Sequence, residues 1–316
     1  MTETSDSVEP RIVYLDEPTY ITTGFLRSLA ELGPVKVYYD RPNPAEAARR
    51  LADADIVIVE WTRLTRELLY KARHLKHIAT VLSATDQVDL AAARQLGISV
   101  SHCPQYSVAS VADHALTCVA ALRRKLLPAH AAASAGVQHR YVPYRGRESG
   151  ELVLGLLGVG RIGQAVAKQA AQLGMRVLGT NSSGTPVPGI DIVPLDELVR
   201  RSDVISVQVP ARPDTAHLLS ADLISNLRPD AIVISVSRHS VIDVEALVQR
   251  HRAGKLGGVA LDDTPDDLVP ALTAVPNTLL TPGVAWYTER ARQENLHEVL
   301  DNVRSYLSGE CRNAAF

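Results

Sequence analysis

Long apolar runs are missing from this chain. No stretch of its 316 residues approaches the ~18 uninterrupted apolar residues of a membrane-spanning helix. A surplus of either charge is missing too: 33 Lys and Arg face 35 Asp and Glu, for a formal net charge of −2. That excludes the basic stripe of a nucleic-acid binder and a like-charged tail. Cysteine is scarce, and Cys103, Cys118 and Cys311 are widely spaced. A disulfide framework is therefore excluded, and free, mostly buried thiols in a reducing cytoplasm are expected. The polar, acidic start at residues 1–8 lacks the cationic and apolar stretches of a secretory signal. Metal-ligand spacing is absent as well. His102-Cys103 has no partners at zinc spacing, and the acids Asp262, Asp263, Asp266 and Asp267 lack the order of a calcium loop. No G-x-S-x-G elbow marks a serine nucleophile.

What is present is alternation. Short apolar runs at residues 12–15, 35–39, 56–59, 78–82 and 98–100 alternate with helix-like segments. The same holds for runs at 152–157, 177–178, 204–209, 232–234, 259–261 and 279–280. Val and Ile without a polar alternation are the mark of parallel strands covered on both faces. Strands separated by helices imply βαβ units, so two doubly wound sheets are expected. A long helix is expected over 108–126 between them. Residues 128–150, with Pro143, Gly146 and Gly150, read as an irregular connection or dimer arm. The last helix, 287–307, carries Leu296, Val299, Leu300, Val303 and Leu307 on one apolar face, which suits packing on the first domain.

One motif carries chemistry. Gly158-Val159-Gly160-Arg161-Ile162-Gly163 follows an apolar strand and opens a helix. In the dinucleotide-binding turn the first glycine permits the tight bend. The second lets backbone approach the pyrophosphate, and the third lets helix pack on strand. The phosphates sit at the positive end of the helix dipole. The next strand ends at Asn181, 18 residues after Gly163, where an acid normally binds the ribose hydroxyls. Asn lacks the charge that repels a 2′-phosphate, and Ser182 and Ser183 offer hydroxyls. Either NAD or NADP is expected, with Asn181 as a plain turn residue the competing reading.

In order along the chain, further segments resemble the D-isomer-specific 2-hydroxyacid dehydrogenase family. They are Asp89-Leu90-Ala91-Ala92-Ala93, Pro104-Gln105-Tyr106-Ser107 and Val111-Ala112-Asp113-His114-Ala115-Leu116, the fingerprint with its Arg161, Val209-Pro210 with Thr215, Ser235-Val236-Ser237-Arg238, Leu261-Asp262 and Thr281-Pro282. The resemblance implies an α/β fold of two doubly wound parallel-sheet domains. A flavodoxin-like substrate domain would take residues 1–103 and 288–316, and a Rossmann nucleotide domain 104–287. It implies cofactor contacts from Gly158, Gly160, Arg161, Ile162, Gly163, Asn181, Ser182, Pro210, Thr215, Val236 and Asp262. Substrate contacts would come from Ser83, Ala84, Thr85 and Gly283, and the chain would be a homodimer. Arg238 would hold a small anionic 2-oxo or 2-hydroxy acid, because its fork pairs bidentately with planar oxygens.

The resemblance breaks at the proton donor. The family places a His after Thr-Pro, supported by a Glu; here Gly283 follows Thr281-Pro282, and Asp267, five residues past Asp262, takes the Glu position. Ala84, Gln87, His102 and His239 also depart from the pattern. Ala84 would be strained if that position has a positive φ. Replacement acids are sought among His239, His102, Tyr106 and Tyr287. The expected function is an NAD(P)-dependent oxidoreductase with altered acid–base residues, acting on a small 2-oxo or 2-hydroxy acid or an analogue. Two other readings fit the same residues: a non-catalytic NAD(H)-binding regulator, and an enzyme using bound nicotinamide for non-standard chemistry.

Overall fold

The computed structural model describes residues 9–137 and 139–316, so the polar start at 1–8 lies outside the described residues. The chain divides into two compact units. One runs to Ser107 and resumes over Thr288–Phe316; the other is Val108–Tyr287. Among the described residues no helix is long and apolar enough to cross a membrane.

In the first unit five parallel strands form one sheet: β1 (Ile12–Tyr14), β2 (Val35–Val37), β3 (Ile56–Val59), β4 (His77–Thr80) and β5 (Ser99–Ser101). Their order is β2-β1-β3-β4-β5, the flavodoxin-like arrangement. Every residue of β3 is buried, which is why its Ile-Val-Ile-Val sequence shows no alternation. β4 starts one residue earlier than the apolar run, at a buried histidine. His77 hydrogen-bonds Ser99 Oγ through Nδ1 (2.8 Å) and Ser101 Oγ through Nε2 (3.0 Å), and its ring stacks on Tyr306 at 4.3 Å. Burial pushes the His77 pKa down to about 4, so the ring is neutral. The last helix, Glu289–Leu307, packs against β4 and the helix Thr23–Ala30. Leu296, Val299, Leu300 and Val303 are buried as its apolar spacing requires, whereas Leu307 is exposed. Polar groups tether it too: buried Asn295 donates to Val81 O (2.8 Å) and accepts from Tyr20 Oη (2.9 Å).

In the second unit seven parallel strands form the other sheet: β6 (Val153–Leu157), β7 (Arg176–Thr180), β8 (Asp191–Ile192), β9 (Val204–Val207), β10 (Ala231–Ser235), β11 (Leu256–Leu261) and β12 (Thr278–Leu280). The order β12-β11-β10-β9-β6-β7-β8 reverses direction between β9 and β6, the Rossmann switch point. The expected long helix ends at Arg123, since Lys125 turns left-handed at φ 48°. Residues after it are not all irregular. A second helix, Leu126–Ser134, follows, with Pro128 in its first turn, where the missing N–H removes no hydrogen bond. None of its residues is buried.

Candidate functional site

The carboxyl edge of the second sheet gathers most of the expected site residues. β6 runs into Gly158, whose φ of +99° suits glycine alone and whose N–H donates to Thr180 O at 3.2 Å. An ideal Cβ on Gly163 would lie 2.3 Å from Gly158 O, so the helix could not approach the turn with any side chain there. At Gly160 a Cβ would meet nothing within 4 Å, and the space before it is open. Gly160 begins the helix Arg161–Gln172 and supplies no side-chain cap. The N–H groups of Arg161, Ile162 and Gly163 are therefore left to an anion. Beside the turn, the Gln208 Oε1 is enclosed without a partner among the described residues. An open cradle and uncapped N–H groups fit a dinucleotide pyrophosphate.

At the end of β7, Asn181 donates through Nδ2 to Thr185 O at 2.9 Å, and its Oδ1 accepts from Ser183 Oγ at 3.3 Å. Its side chain closes its own turn, while Ser182 is exposed. Residues 181–190 contain no carboxylate. After β9, buried Thr215 turns its hydroxyl onto its own loop, donating to Pro210 O at 2.7 Å and accepting from Arg212 N at 2.9 Å. Pro210 is exposed.

After β10, Val236 packs on the core and Arg238 is exposed. The Arg238 guanidinium has no hydrogen bond or ion pair among the described residues. His239 is held differently: its N–H and its Nδ1 both reach Asp263 Oδ2, at 2.7 and 2.8 Å. Asp267 is exposed in the short turn Asp266–Leu268 and has no partner among the described residues.

After β11, Asp262 is 8% exposed and organises the loop 281–285. Its Oδ1 accepts from Thr281 Oγ1 at 2.6 Å and Val284 N at 2.9 Å, and its Oδ2 from Ala285 N at 3.0 Å. Gly283 donates to Asp262 O at 2.6 Å and has φ +72°. A Cβ on Gly283 would meet only Asp262 O, at 3.9 Å. Glycine here meets a backbone demand, and the room for a side chain is left empty. One member of this cluster escaped the sequence reading of the site. His114, in the helix Val108–Arg123, places Nε2 3.4 Å from Thr281 Oγ1 and 3.9 Å from Asp262 Oδ1. Its only signal was that Ser110 and His114 share a helix face, and Ser110 Oγ donates to Trp286 O at 3.1 Å.

The first unit holds the remaining candidates except Tyr287, which ends the second. Ser83 and Ala84 are exposed and Thr85 is half-buried. Ala84 has no positive φ, so the strain considered for it does not arise. The backbone N–H groups of residues 83–85 donate to nothing among the described residues. His102 is tied down, its Nδ1 at 2.8 Å from Ser83 O. Both amide atoms of Gln87 are enclosed without a partner. Burial, then the neighbouring Cys103, Glu60 and Glu298, push the Tyr106 phenol far above its usual range, which makes it a poor proton donor. Tyr287 is exposed and meets Trp286 edge-on at 5.0 Å.

Comparison with known proteins agrees with this geometry. The NAD-binding domain of the D-isomer specific 2-hydroxyacid dehydrogenases, as a family model, matches residues 116–285. Glycerate dehydrogenase of Methylorubrum extorquens is 30% identical over 96% of this chain and 98% of its own length. An acyclic imino acid reductase solved with NADPH and D-Arg is 38% identical, with a TM-score of 0.92 over 97% of this chain and all of that one. D-lactate dehydrogenase of Aquifex aeolicus, solved with NAD and lactic acid, is 27% identical, with a TM-score of 0.83 over 95% of this chain and 96% of that one. The fingerprint turn, the sheet order and these relatives together make the chain an NAD(P)-dependent oxidoreductase that belongs to the D-isomer-specific 2-hydroxyacid dehydrogenase family.

Proposed function

We propose that this enzyme reduces an acyclic 2-imino acid, the nitrogen analogue of a 2-oxo acid, with NADPH. The observation that carries the reading is Gly283. A ketone accepting hydride becomes an alkoxide and needs a proton in the same step, and a positioned acid is worth ~10² to 10⁴ in rate. An iminium arrives with its proton already on nitrogen. Hydride adds to the carbon, the C=N π pair becomes the nitrogen lone pair, and the amine takes its next proton from water. A site without a side-chain acid therefore loses little with an imine and much with a ketone. The solved relative named as an acyclic imino acid reductase supports the same reading.

When bound, the nicotinamide supplies the hydride. Arg238, exposed and unpaired past the end of β10, holds the substrate carboxylate through its planar fork. The N–H groups of Ser83, Ala84 and Thr85 suit an anion as well. Gly158, Gly160, Arg161, Ile162 and Gly163 hold the pyrophosphate. Val236, Pro210 and Asp262 line the nicotinamide half, and Thr215 shapes the loop beside it. NADPH is assigned because β7 ends without a carboxylate and Ser182 leaves a hydroxyl free for a 2′-phosphate. No proton-donor role falls to His239, Asp267 or Tyr106.

The test is NADPH oxidation with a panel of 2-oxo acids, with and without ammonium. Turnover is expected only with ammonium, yielding the amino acid. Equal rates without it, yielding the hydroxy acid, overturn the reading. The proposal includes a homodimer in a reducing cytoplasm. Helix Leu126–Ser134 buries none of its residues within one chain, and Tyr141 and Val142 are 76% and 89% exposed. A monomer's mass by light scattering removes the dimer.

A further inference from the structure

We propose that Asp263 is a positioning residue for the substrate carboxylate, acting through His239 on Arg238. The inference rests on the reading above that the Arg238 guanidinium holds that carboxylate.

Two acids follow one another past the end of β11, and β11 lies between β10 and β12. They hold different neighbours. Asp262 takes its three donors from the loop 281–285 past β12. Asp263 takes both of its donors from His239 past β10, the backbone N–H at 2.7 Å and Nδ1 at 2.8 Å, on the one oxygen Oδ2. One strand end therefore ties down the loops on both sides of it.

The loop past β10 needs that tie. Residues His239–Val241 form a single short helical turn, with Arg238 at the capping position and no side-chain cap of its own. A cap offers a side-chain oxygen to the first N–H groups, and arginine carries donors only. Asp263 reaches across from the next strand and accepts the His239 N–H in its place. On the other side of Arg238, Ser237 Oγ donates to Val207 O at 3.3 Å and Ser237 N–H to Ser235 Oγ at 3.2 Å. Beyond the turn, His217 N–H donates to Ser240 O at 2.9 Å. Arg238 is thus bracketed by anchored residues, while its exposed guanidinium has no partner among the described residues. Backbone placement is what aims it. A long side chain on a loose root spreads over more orientations, and a bidentate pair with a carboxylate needs the planar fork at one angle.

Charge alone predicts the opposite sign. Asp263 is an acid beside a site for an anion, so removing it as a charge should tighten the substrate. Removing it as an anchor should loosen the substrate. Asp262, Asp266 and Asp267 stay in place either way. The two roles therefore move KM in opposite directions.

The test is steady-state kinetics on the full chain with NADPH, ammonium and the best 2-oxo acid of the panel above. Asp263→Ala should raise KM for that acid about tenfold, with kcat little changed and Kd for NADPH unchanged. Asp263→Asn drops the charge but keeps an oxygen for the His239 N–H, so it should restore most of the lost affinity. His239→Ala keeps the N–H bond and loses the imidazole one, and should raise KM about threefold. In an Arg238→Ala background Asp263→Ala should cost nothing further, because its effect passes through the missing guanidinium. An unchanged or lower KM in Asp263→Ala overturns the proposal, as does a full loss added on top of Arg238→Ala. Should Asp263→Ala not fold, an unchanged KM in His239→Ala overturns it instead. Amide hydrogen exchange reads the anchor without any substrate. Residues 237–241 should exchange faster in Asp263→Ala than in the wild type, and equal rates there overturn the proposal whether or not the imine is reduced. A wild-type KM in Arg238→Ala marks a different failure, that of the Arg238 reading beneath it.

Discussion

Gly158 and Gly283 stand at the carboxyl edge of one sheet, both left-handed, at φ +99° and +72°. Their surroundings differ. A Cβ on Gly158 would press on Gln208 O at 3.1 Å; one on Gly283 would meet only Asp262 O at 3.9 Å. At Gly158 and Gly163 the cofactor turn is closed by backbone contacts, and only Gly160 faces open space. The reacting end is closed by a backbone torsion and leaves space. The difference separates two reasons for a glycine: the first end cannot change without losing the dinucleotide, whereas the second has room for new chemistry.

The hardest blow to that comparison falls at Gly163. Its Cβ would lie 2.3 Å from Gly158 O, a backbone atom that cannot rotate away. Gly163→Ala should destabilise the second unit by about 3 kcal/mol and weaken dinucleotide binding by about 100-fold or more. Thermal melts and nicotinamide fluorescence titration check both. A variant that binds normally would mean that the turn yields, and the contrast with Gly283 would disappear.

Enclosure and openness divide the histidines in the same way. His77 is sealed and neutral, while His114 sits at the site with one nitrogen free. Above pH 6.5 the His77 ring is unprotonated in both the folded and unfolded chain, so it adds no pH dependence. Between 6.5 and about 4 the unfolded chain takes up a proton that the folded chain refuses. Stability then falls as pH falls, by ~1.4 kcal/mol per unit. By pH 5 the loss attributable to His77 is about 2 kcal/mol. Urea unfolding of wild type and His77→Gln at neutral pH and at pH 5 reads it as a difference. Equal losses would show that the buried ring accepts a proton.

The same division explains what could be read from the sequence. Strands such as Ile56–Val59 and Ala231–Ser235 were legible because burial on both faces demands continuous Val and Ile. The fingerprint was legible because its constraint is local, a turn and the helix that follows it. β8 was not, being two residues with Asp191 first. Helix Leu126–Ser134 was hidden by Pro128, which breaks a helix interior but not a first turn. At the site, Arg238 and Asp262 were found from their strand ends. The occupation of Asn181 by its own turn was not, nor was the pairing of His239 with Asp263 or the approach of His114 to Thr281. The last two join residues 24 and 167 positions apart, and no spacing rule within one element reaches that far.

The smallest expected effect tests the comparison most sharply. At φ +72° any Cβ costs about 1 kcal/mol, but nothing lies beyond it to clash. Gly283→Ala and Gly283→His should therefore lose the same ~1 kcal/mol in thermal unfolding, despite their difference in size. Dinucleotide affinity should be unchanged in both, because Gly158, Gly160 and Gly163 are untouched. A histidine variant much less stable than the alanine variant would mean that the space is not there, and Gly283 would then be a second Gly158. If the two match, the histidine variant can be compared on 2-oxo acids without ammonium. A proton donor restored at that point should raise ketone reduction relative to Gly283→Ala and leave imine reduction little changed, since the iminium never needed it.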